Sequence, residues 1–203
     1  MILSYPPKFI QKVYPSLTWR IPTDKKNIYL TFDDGPTPEI TSQVLDLLKE
    51  YNAKGTFFCL GKNIREYQDI FQRILKEGHK VGNHSNRHKN GWKNTTPDFL
   101  LDVEDFNKVY VSNLFRPPYG RMKNSQIKIL KKKYKIIMWS ILTMDYDQSV
   151  SSKSCAKIAT SNWEKGSILV FHDSVKAANN MIFALEQVLL KAKKEGWNCP
   201  MIN

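Results

Sequence analysis

Residues 28–36 read IYLTFDDGP, and this stretch indicates how the chain folds. Residues 28–32 are mostly β-branched, aliphatic or aromatic, which is typical of a buried strand. Two carboxylates, Asp33 and Asp34, follow at once, and Gly35-Pro36 marks a turn. Residues 37–39 (TPE) then predict the start of a helix, because Thr37 can cap it and Pro38 suits its first position.

The same succession of strand, polar turn and helix repeats along the chain about six times. Further strands are predicted at 56–60, around Val81, and at 114–115, 136–139 and 168–171. Apolar residues at helical spacing predict helices at 37–48, 64–75, 97–111, 125–133, 151–163 and 181–192. The alternation continues without a break in composition, so it predicts parallel strands with crossover helices, in an α/β barrel or a doubly wound sheet.

Composition excludes several classes of protein. The 203 residues are 41% hydrophobic, which is enough for a core, and no run approaches the ~18 apolar residues of a transmembrane helix. The net charge of +12 raises nucleic acid as a partner, but the basic residues are mostly lysines spread over helix faces, and no nucleic-acid-binding module is recognisable. No nucleic acid partner is therefore expected. The three cysteines are odd in number and widely spaced, which indicates no disulfide framework, and Cys59 is expected to be a buried, inert thiol.

The first 26 residues differ from the rest in being rich in proline. We expect residues 1–26 to form an N-terminal extension and residues 27–203 the main domain. No apolar core of a signal peptide is visible, so a cytoplasmic location is the default expectation, with a substrate in the cell envelope left open. The protein is expected to be a monomer.

Polar and titratable residues follow five of the six predicted strands. In parallel α/β folds the carboxyl ends of the strands meet on one side of the sheet, so these side chains are expected to converge there. The segments concerned are Asp33-Asp34, His84 with His88, the RPPYG run at 116–120, Asp145 with Asp147, and His172-Asp173.

His84 and His88 are four residues apart, so both imidazoles can reach one metal ion. A divalent ion with two imidazoles favours a carboxylate as third ligand and an open position for water, and Asp33-Asp34 is the evident source. One of the two carboxylates can bind metal while the other acts as a base. Taken alone, the histidines could equally lie in a polar surface loop, and the Asp-Gly pair could be an ordinary turn.

Two further residues suggest control of proton transfer. Arg116 precedes two prolines that stiffen its loop, which suits pairing with a carboxylate, although an ordinary surface ion pair is the alternative. His172 ends an apolar strand, where a nearby acid such as Asp145 can tune its pKa. A histidine simply satisfied within the core is the alternative.

Taken together, these residues resemble the polysaccharide deacetylases of carbohydrate esterase family 4, the NodB-homology domain, over about residues 27–197. Two positions depart from the family pattern, because Leu142 and Tyr146 stand where the family usually has Asp and Trp. The resemblance rests on TFDDGP (31–36), HSNRH (84–88), RPPY (116–119) and ILVFH (168–172), with GTFF (55–58) before Gly61 in support.

The resemblance implies a deformed (β/α)7 barrel that binds one divalent ion, most readily Zn²⁺ with Co²⁺, Mn²⁺ or Ni²⁺ as alternatives. The implied metal ligands are Asp34, His84 and His88. The other implied roles are Asp33 as general base, Arg116 holding Asp33, the backbone N–H of Tyr119 at the oxyanion, and His172 as general acid with Asp145 as its partner.

The implied reaction removes N-acetyl groups from N-acetylhexosamine residues of a glycan, such as peptidoglycan or a chitin-type oligosaccharide, and releases acetate. The alternatives are an O-acetyl ester hydrolase, such as an acetylxylan esterase, and a glycan-binding pseudoenzyme. A pseudoenzyme is expected to have lost a catalytic group, whereas the base, the ligands and the acid are all present in this sequence. Metal-independent amide hydrolases also occur in this fold, but intact His84 and His88 argue against them.

Overall fold

The computed structural model describes residues 4–203, which form seven parallel strands and eight α-helices. The strands are β1 (Ile28–Asp33), β2 (Gly55–Cys59), β3 (Lys80–Asn83), β4 (Leu114–Phe115), β5 (Lys135–Ile136), β6 (Ile141–Leu142) and β7 (Ser167–His172). They make one sheet in the order β5-β4-β3-β2-β1-β7-β6, curled into the predicted deformed (β/α)7 barrel. The fold prediction is therefore confirmed.

The helices are α1 (Lys8–Val13), α2 (Ile40–Glu50), α3 (Gly61–Glu66), α4 (Gln68–Lys76), α5 (Thr96–Phe106), α6 (Asn124–Leu130), α7 (Ser152–Ala159) and α8 (Ala178–Glu195). Helices α2 to α7 lie in the connections between strands, while α1 precedes β1 and α8 follows β7. Within residues 4–203, no helix combines the length and the apolar character needed to cross a membrane.

The middle of the sheet is the centre of the core. All six residues of β1 are buried, as expected for a strand with neighbours on both sides. The ring of Phe32 stacks on Phe57 of β2 at 4.8 Å and on Phe171 of β7 at 5.7 Å, measured between centroids. Aromatic packing thus joins β1 and β7, which end in Asp33 and His172, to β2.

The start of α2 and the helix predicted at 64–75 differ from the prediction. α2 begins at Ile40, and Thr37 does not cap it: Glu39 has φ 62°, and the N–H of Thr37 donates to Oγ1 of Thr41. The predicted helix at 64–75 is two helices, because the backbone of Tyr67 is not helical (φ −121°, ψ 57°). The side chain of Gln68 donates to the carbonyl of Ile64 beside this break.

The helices predicted at 97–111 and 151–163 are shorter than expected, ending at Phe106 and Ala159. At the end of α7, side chains cap the last carbonyls: the hydroxyl of Thr160 donates to the carbonyl of Ala156, and the indole of Trp163 donates to the carbonyl of Ala159.

The predicted strand at 136–139 is replaced by two short strands, β5 and β6, on opposite edges of the sheet. The segment between them is not paired as a continuous strand, because the guanidinium of Arg116 binds the carbonyls of Ile137 and Met138 at 3.2 and 3.0 Å. A buried side chain thus takes the acceptors that a neighbouring strand would otherwise use.

The N-terminal segment packs against the domain. Thr18 pairs with Ile137, Arg20 pairs with Ser167, and the N–H of Leu142 donates to the carbonyl of Ser4. The division into residues 1–26 and 27–203 stays a prediction, and its residues 1–3 lie outside the described part of the chain.

Candidate active site

The polar segments at the strand ends converge because the parallel strands are in register there. Asp33, the last residue of β1, lies level with Phe58 of β2 and with His172 of β7. Asn83, just before His84, lies level with Phe115, just before Arg116. The ends surround a cavity of about 180 Å³, lined among others by Asp33, Asp34, His84, His88, Tyr119 and His172.

Asp34, His84 and His88 offer three ligand atoms that all lie within 4.8 Å of one another. Oδ1 of Asp34 lies 3.6 Å from Nε2 of His84 and 3.2 Å from Nε2 of His88. This oxygen is buried and has no hydrogen-bond partner among the described residues. A cation between the three residues would satisfy it, so the residues present fit a divalent metal ion.

The two imidazoles are suited to metal binding because they are neutral. Burial lowers the pKa of His84 to about 3, and burial also lowers the pKa of His88. Nδ1 of His84 lies 2.8 Å from the carbonyl of Arg116, which directs the lone pair of Nε2 toward Asp34. The histidines lie on a loop and not on a helix, since Ser85 and His88 have φ of 67° and 59°.

Asp33 forms a buried ion pair with Arg116. Nη1 of Arg116 donates to Oδ1 of Asp33 at 2.7 Å and to Oγ1 of Thr31 at 2.7 Å. The guanidinium also lies 4.2 Å from the ring centre of Phe58. Because the Arg116 side chain is almost completely buried, the alternative of a surface ion pair is wrong.

His172 is held by Asp145. Oδ1 of Asp145 lies 2.8 Å from Nδ1 of His172, and Oδ2 accepts from the backbone N–H of His172 at 2.7 Å. Burial acts to lower the pKa of His172, but the carboxylates of Asp145, Asp34 and Asp33, with Asp145 the strongest of them, together raise it to about 9. The imidazole therefore holds its proton at neutral pH.

The two departures from the family pattern form part of the wall around His172. Tyr146 packs edge-on against His172 with ring centres 4.9 Å apart, and Leu142 lines the cavity. Asp147, expected on the same rim, accepts from the N–H and hydroxyl of Ser149 and does not line the cavity.

Tyr119 stands at the mouth of the cavity, in a single 3₁₀ turn, Pro118–Gly120. Its backbone is left-handed (φ 61°, ψ 6°), and its half-exposed ring lies 4.5 Å from the ring of His88 between centroids. Gly120 is also left-handed, and a Cβ there would lie 2.3 Å from the Trp139 indole. Glycine is therefore required at position 120.

Comparison with known proteins shows the family of the chain. A sequence profile described as polysaccharide deacetylase matches residues 20–135. A peptidoglycan-N-acetylglucosamine deacetylase of Bacillus cereus is 34% identical over 188 residues, covering 89% of this chain and 88% of the relative. The chain belongs to the polysaccharide deacetylase family.

Two other members extend the comparison. The peptidoglycan-N-acetylmuramic acid deacetylase PdaC of Bacillus subtilis is 30% identical, over 86% of this chain and 37% of its own length. A crystal structure of a peptidoglycan N-acetylglucosamine deacetylase, bound to a naphthyl-substituted N-hydroxybenzamide, superposes with a TM-score of 0.88 at 28% identity. That match covers 98% of this chain and 95% of the other.

Asp173 contributes to the site of this family member in a way that the sequence did not reveal. It is fully buried behind the loop that carries Asp34, where Oδ1 accepts from the N–H of Gly35 at 3.1 Å and Oδ2 contacts the hydroxyl of Thr41. A Cβ on Gly35 would lie 2.1 Å from Oδ2, so the loop and the carboxyl group are packed together. The available signal was its position directly after His172 at the end of β7.

Burial raises the pKa of Asp173 to about 8, although the Thr41 hydroxyl donates to its Oδ2, so the carboxyl group holds a proton at neutral pH. Cys59 is a buried free thiol, and burial raises its pKa well above the ordinary value. Its geometry agrees with the inert role expected from the sequence.

Proposed function

We propose that this polysaccharide deacetylase is a metal-dependent hydrolase that removes N-acetyl groups from N-acetylhexosamine residues of a glycan and releases acetate. The observation that carries the proposal is that Asp34, His84 and His88 share one small cavity with Asp33 and His172. The named activities of the relatives support peptidoglycan as the glycan, with chitin-type oligosaccharides as simpler substrates of the same chemistry.

Asp34, His84 and His88 would hold the metal ion, and two imidazoles with one carboxylate suit zinc. Such an ion supplies Lewis acidity that polarises a carbonyl group and favours the ionisation of water.

Asp33 is placed to act as the general base. Its Oδ1 is engaged by Arg116, which leaves Oδ2 to take a proton from the attacking water. The buried guanidinium compensates the negative charge of Asp33, and its bonds to two backbone carbonyls and to Thr31 hold it rigidly in place. Arg116 thus pairs with the base and orients it.

His172 is placed to act as the general acid. With Nδ1 facing Asp145, Nε2 carries the proton that passes to the amine nitrogen as the C–N bond breaks. The backbone N–H of Tyr119, at the mouth of the cavity, is proposed to donate to the oxyanion of the tetrahedral intermediate. The products are acetate and a glucosamine residue.

Two alternatives make different predictions. An O-acetyl ester hydrolase would use the same groups and release acetate from acetylated xylan. A glycan-binding pseudoenzyme would lack a catalytic group, whereas this cavity brings together a base, an acid and three ligand residues.

The decisive experiment measures acetate release from N-acetylglucosamine oligomers, peptidoglycan and acetylated xylan, with and without a chelator. We expect release from the N-acetylated substrates alone, its loss on chelation, and its recovery on addition of zinc. Asp33→Asn should lower kcat by roughly 10²–10⁴-fold, the usual contribution of a general base.

Asp147→Asn is the matched control, since this carboxylate lies outside the cavity and the variant should keep its activity. Activity that survives both chelation and Asp33→Asn would refute the mechanism. Release from acetylated xylan alone would instead identify an esterase.

A further inference from the structure

A second cavity adjoins the active site and is lined by aromatic rings. Its volume is about 440 Å³, and it shares Tyr119, Gly120 and Trp139 with the catalytic cavity. We call it the aromatic groove. Its lining includes Trp92 and residues 121–122 and, from the N-terminal segment, Tyr14 and Trp19 among others.

The size of the two cavities indicates that a glycan must extend beyond the catalytic one. At about 180 Å³, the catalytic cavity is smaller than the ~300 Å³ at the lower end of small-molecule sites, whereas the aromatic groove lies within that range. A sugar bonded to the residue being deacetylated therefore has the groove as a neighbouring place to bind.

Trp92 is the residue best placed to bind that sugar. Its side chain is 59% exposed, yet the indole is held in place, because its Nε1 donates to the carbonyl of Met122 at 2.9 Å. The preceding Gly91 packs against residue 121, where a Cβ would lie 2.4 Å from the backbone oxygen, and its own carbonyl accepts from Gln126. A rigid, exposed aromatic face loses little conformational entropy on binding.

The guanidinium of Arg121 gives the groove a polar group, which suits a sugar better than an acyl chain. The guanidinium of Arg121 lies 5.1 Å from the ring centre of Trp92 and forms no ion pair or side-chain hydrogen bond within residues 4–203. Its N–H donors can therefore bind sugar hydroxyl groups, while the C–H face of a pyranose ring packs on the electron-rich face of the indole.

We propose that the aromatic groove is a subsite for a neighbouring sugar of the same glycan chain, with Trp92 as the stacking platform. This inference rests on the proposed glycan substrate. It assigns Trp92 and Arg121 to recognition of chain length, and it gives the N-terminal segment a part in substrate binding.

The test compares binding of N-acetylglucosamine hexamer and monomer by calorimetry, using the zinc-loaded Asp33→Asn protein to prevent turnover. Adding Trp92→Ala should weaken hexamer binding by roughly fivefold to tenfold, the size expected for one aromatic stack, and should leave monomer binding unchanged. Trp92→Phe, which keeps a ring, should recover part of the loss.

Phe183→Ala is the control, because this exposed aromatic residue of α8 lines neither cavity. The inference is overturned if Trp92→Ala leaves hexamer binding unchanged, weakens hexamer and monomer equally, or if the parent protein binds no hexamer. The binding measurement does not depend on acetate release, so failure of the proposed reaction can be distinguished from failure of this inference. If only the reaction is wrong, the hexamer still binds through Trp92, but the protein that retains Asp33 releases no acetate.

Discussion

Two buried ion pairs carry the proton transfers proposed for this site, and each depends on both of its partners. Asp33 with Arg116, and His172 with Asp145, are pairs in which burial alone would disfavour the charged form. In each pair the second residue also binds backbone groups: Arg116 two carbonyls, and Asp145 the N–H of His172. The partners thus set both charge and orientation.

Removing the charge of Asp145 should change the pH dependence of the reaction. The pKa of His172 is raised to about 9 chiefly by Asp145, so a general acid at this position is protonated below that pH and loses its proton above it. In Asp145→Asn the pKa of His172 should fall, and the alkaline limb of the kcat/KM profile should move to lower pH.

Asp147→Asn should leave that limb in place, because Asp147 makes its contacts with Ser149 outside the cavity. Circular dichroism would verify that both variants fold. An unchanged alkaline limb in a folded Asp145→Asn protein would contradict the role of His172 as the acid.

At the scale of elements, the loop after β1 is held from behind by the end of β7. The N–H of Asp173 donates to the carbonyl of Asp33, and its carboxyl group binds Gly35 and Thr41. Through these contacts Asp173 fixes the loop that presents Asp34, and we expect it to act as a positioning residue.

Substitutions at Asp173 should distinguish the role of its hydrogen bonds from the role of its charge. Asp173→Ala leaves the N–H of Gly35 unpaired and should cost about 1–3 kcal/mol of unfolding free energy. It should also weaken zinc binding by roughly tenfold or more. Asp173→Asn resembles the protonated carboxyl group and should bind zinc nearly as well as the parent. Chemical denaturation and metal titration would measure both effects.

The pH dependence of stability gives an independent check. The pKa of Asp173 is about 8 in the folded protein and near 3.8 when unfolded, so the folded state holds the extra proton between these values. Its contribution to stability is therefore lost as pH rises from about 4 to 8. Asp173→Asn should flatten this decline, and an unchanged pH profile would show that the carboxyl group does not bind a proton there.

Helices and strands with a regular spacing of apolar residues could be predicted from the sequence. Elements whose bounds depend on contacts with distant side chains could not. The apolar run of β1 and the stripe of α8 gave nearly correct bounds, because burial follows the local period of the chain. The end of β5 at Ile136, where a strand was predicted to run on to 139, coincides with the contacts that Arg116, about twenty residues away in the chain, makes with the carbonyls of Ile137 and Met138. The sequence at 136–139 contains no local pattern that indicates these contacts.

At the scale of the whole molecule, the three candidate metal ligands come from two separate loops, one after β1 and one after β3. A ligand that binds the folded state alone raises stability by mass action, and at one hundred times the dissociation constant the gain is about 2.7 kcal/mol. Zinc should therefore raise the melting temperature of the protein, and a chelator should reverse the rise.

His88→Ala should abolish the zinc-induced rise in melting temperature. His79→Gln is the matched control: His79 is buried outside the site, where its Nδ1 accepts from Gly55, so this variant should start less stable yet keep the rise. Equal responses of the two variants to zinc would contradict the assignment of His88 as a ligand. Differential scanning calorimetry would measure the shifts.

The sequence by itself determined the α/β class, most of the strands and the residue types at five strand ends, because these follow from local hydrophobic period and from motifs. The tertiary structure decided which of those residues meet. It placed Asp145 on His172 and left Asp147 outside, it put Asp173 behind the loop of Asp34, and it set Trp92 beside the catalytic cavity. These choices depend on strand register and on contacts between residues far apart in the chain, which no local stretch of sequence encodes.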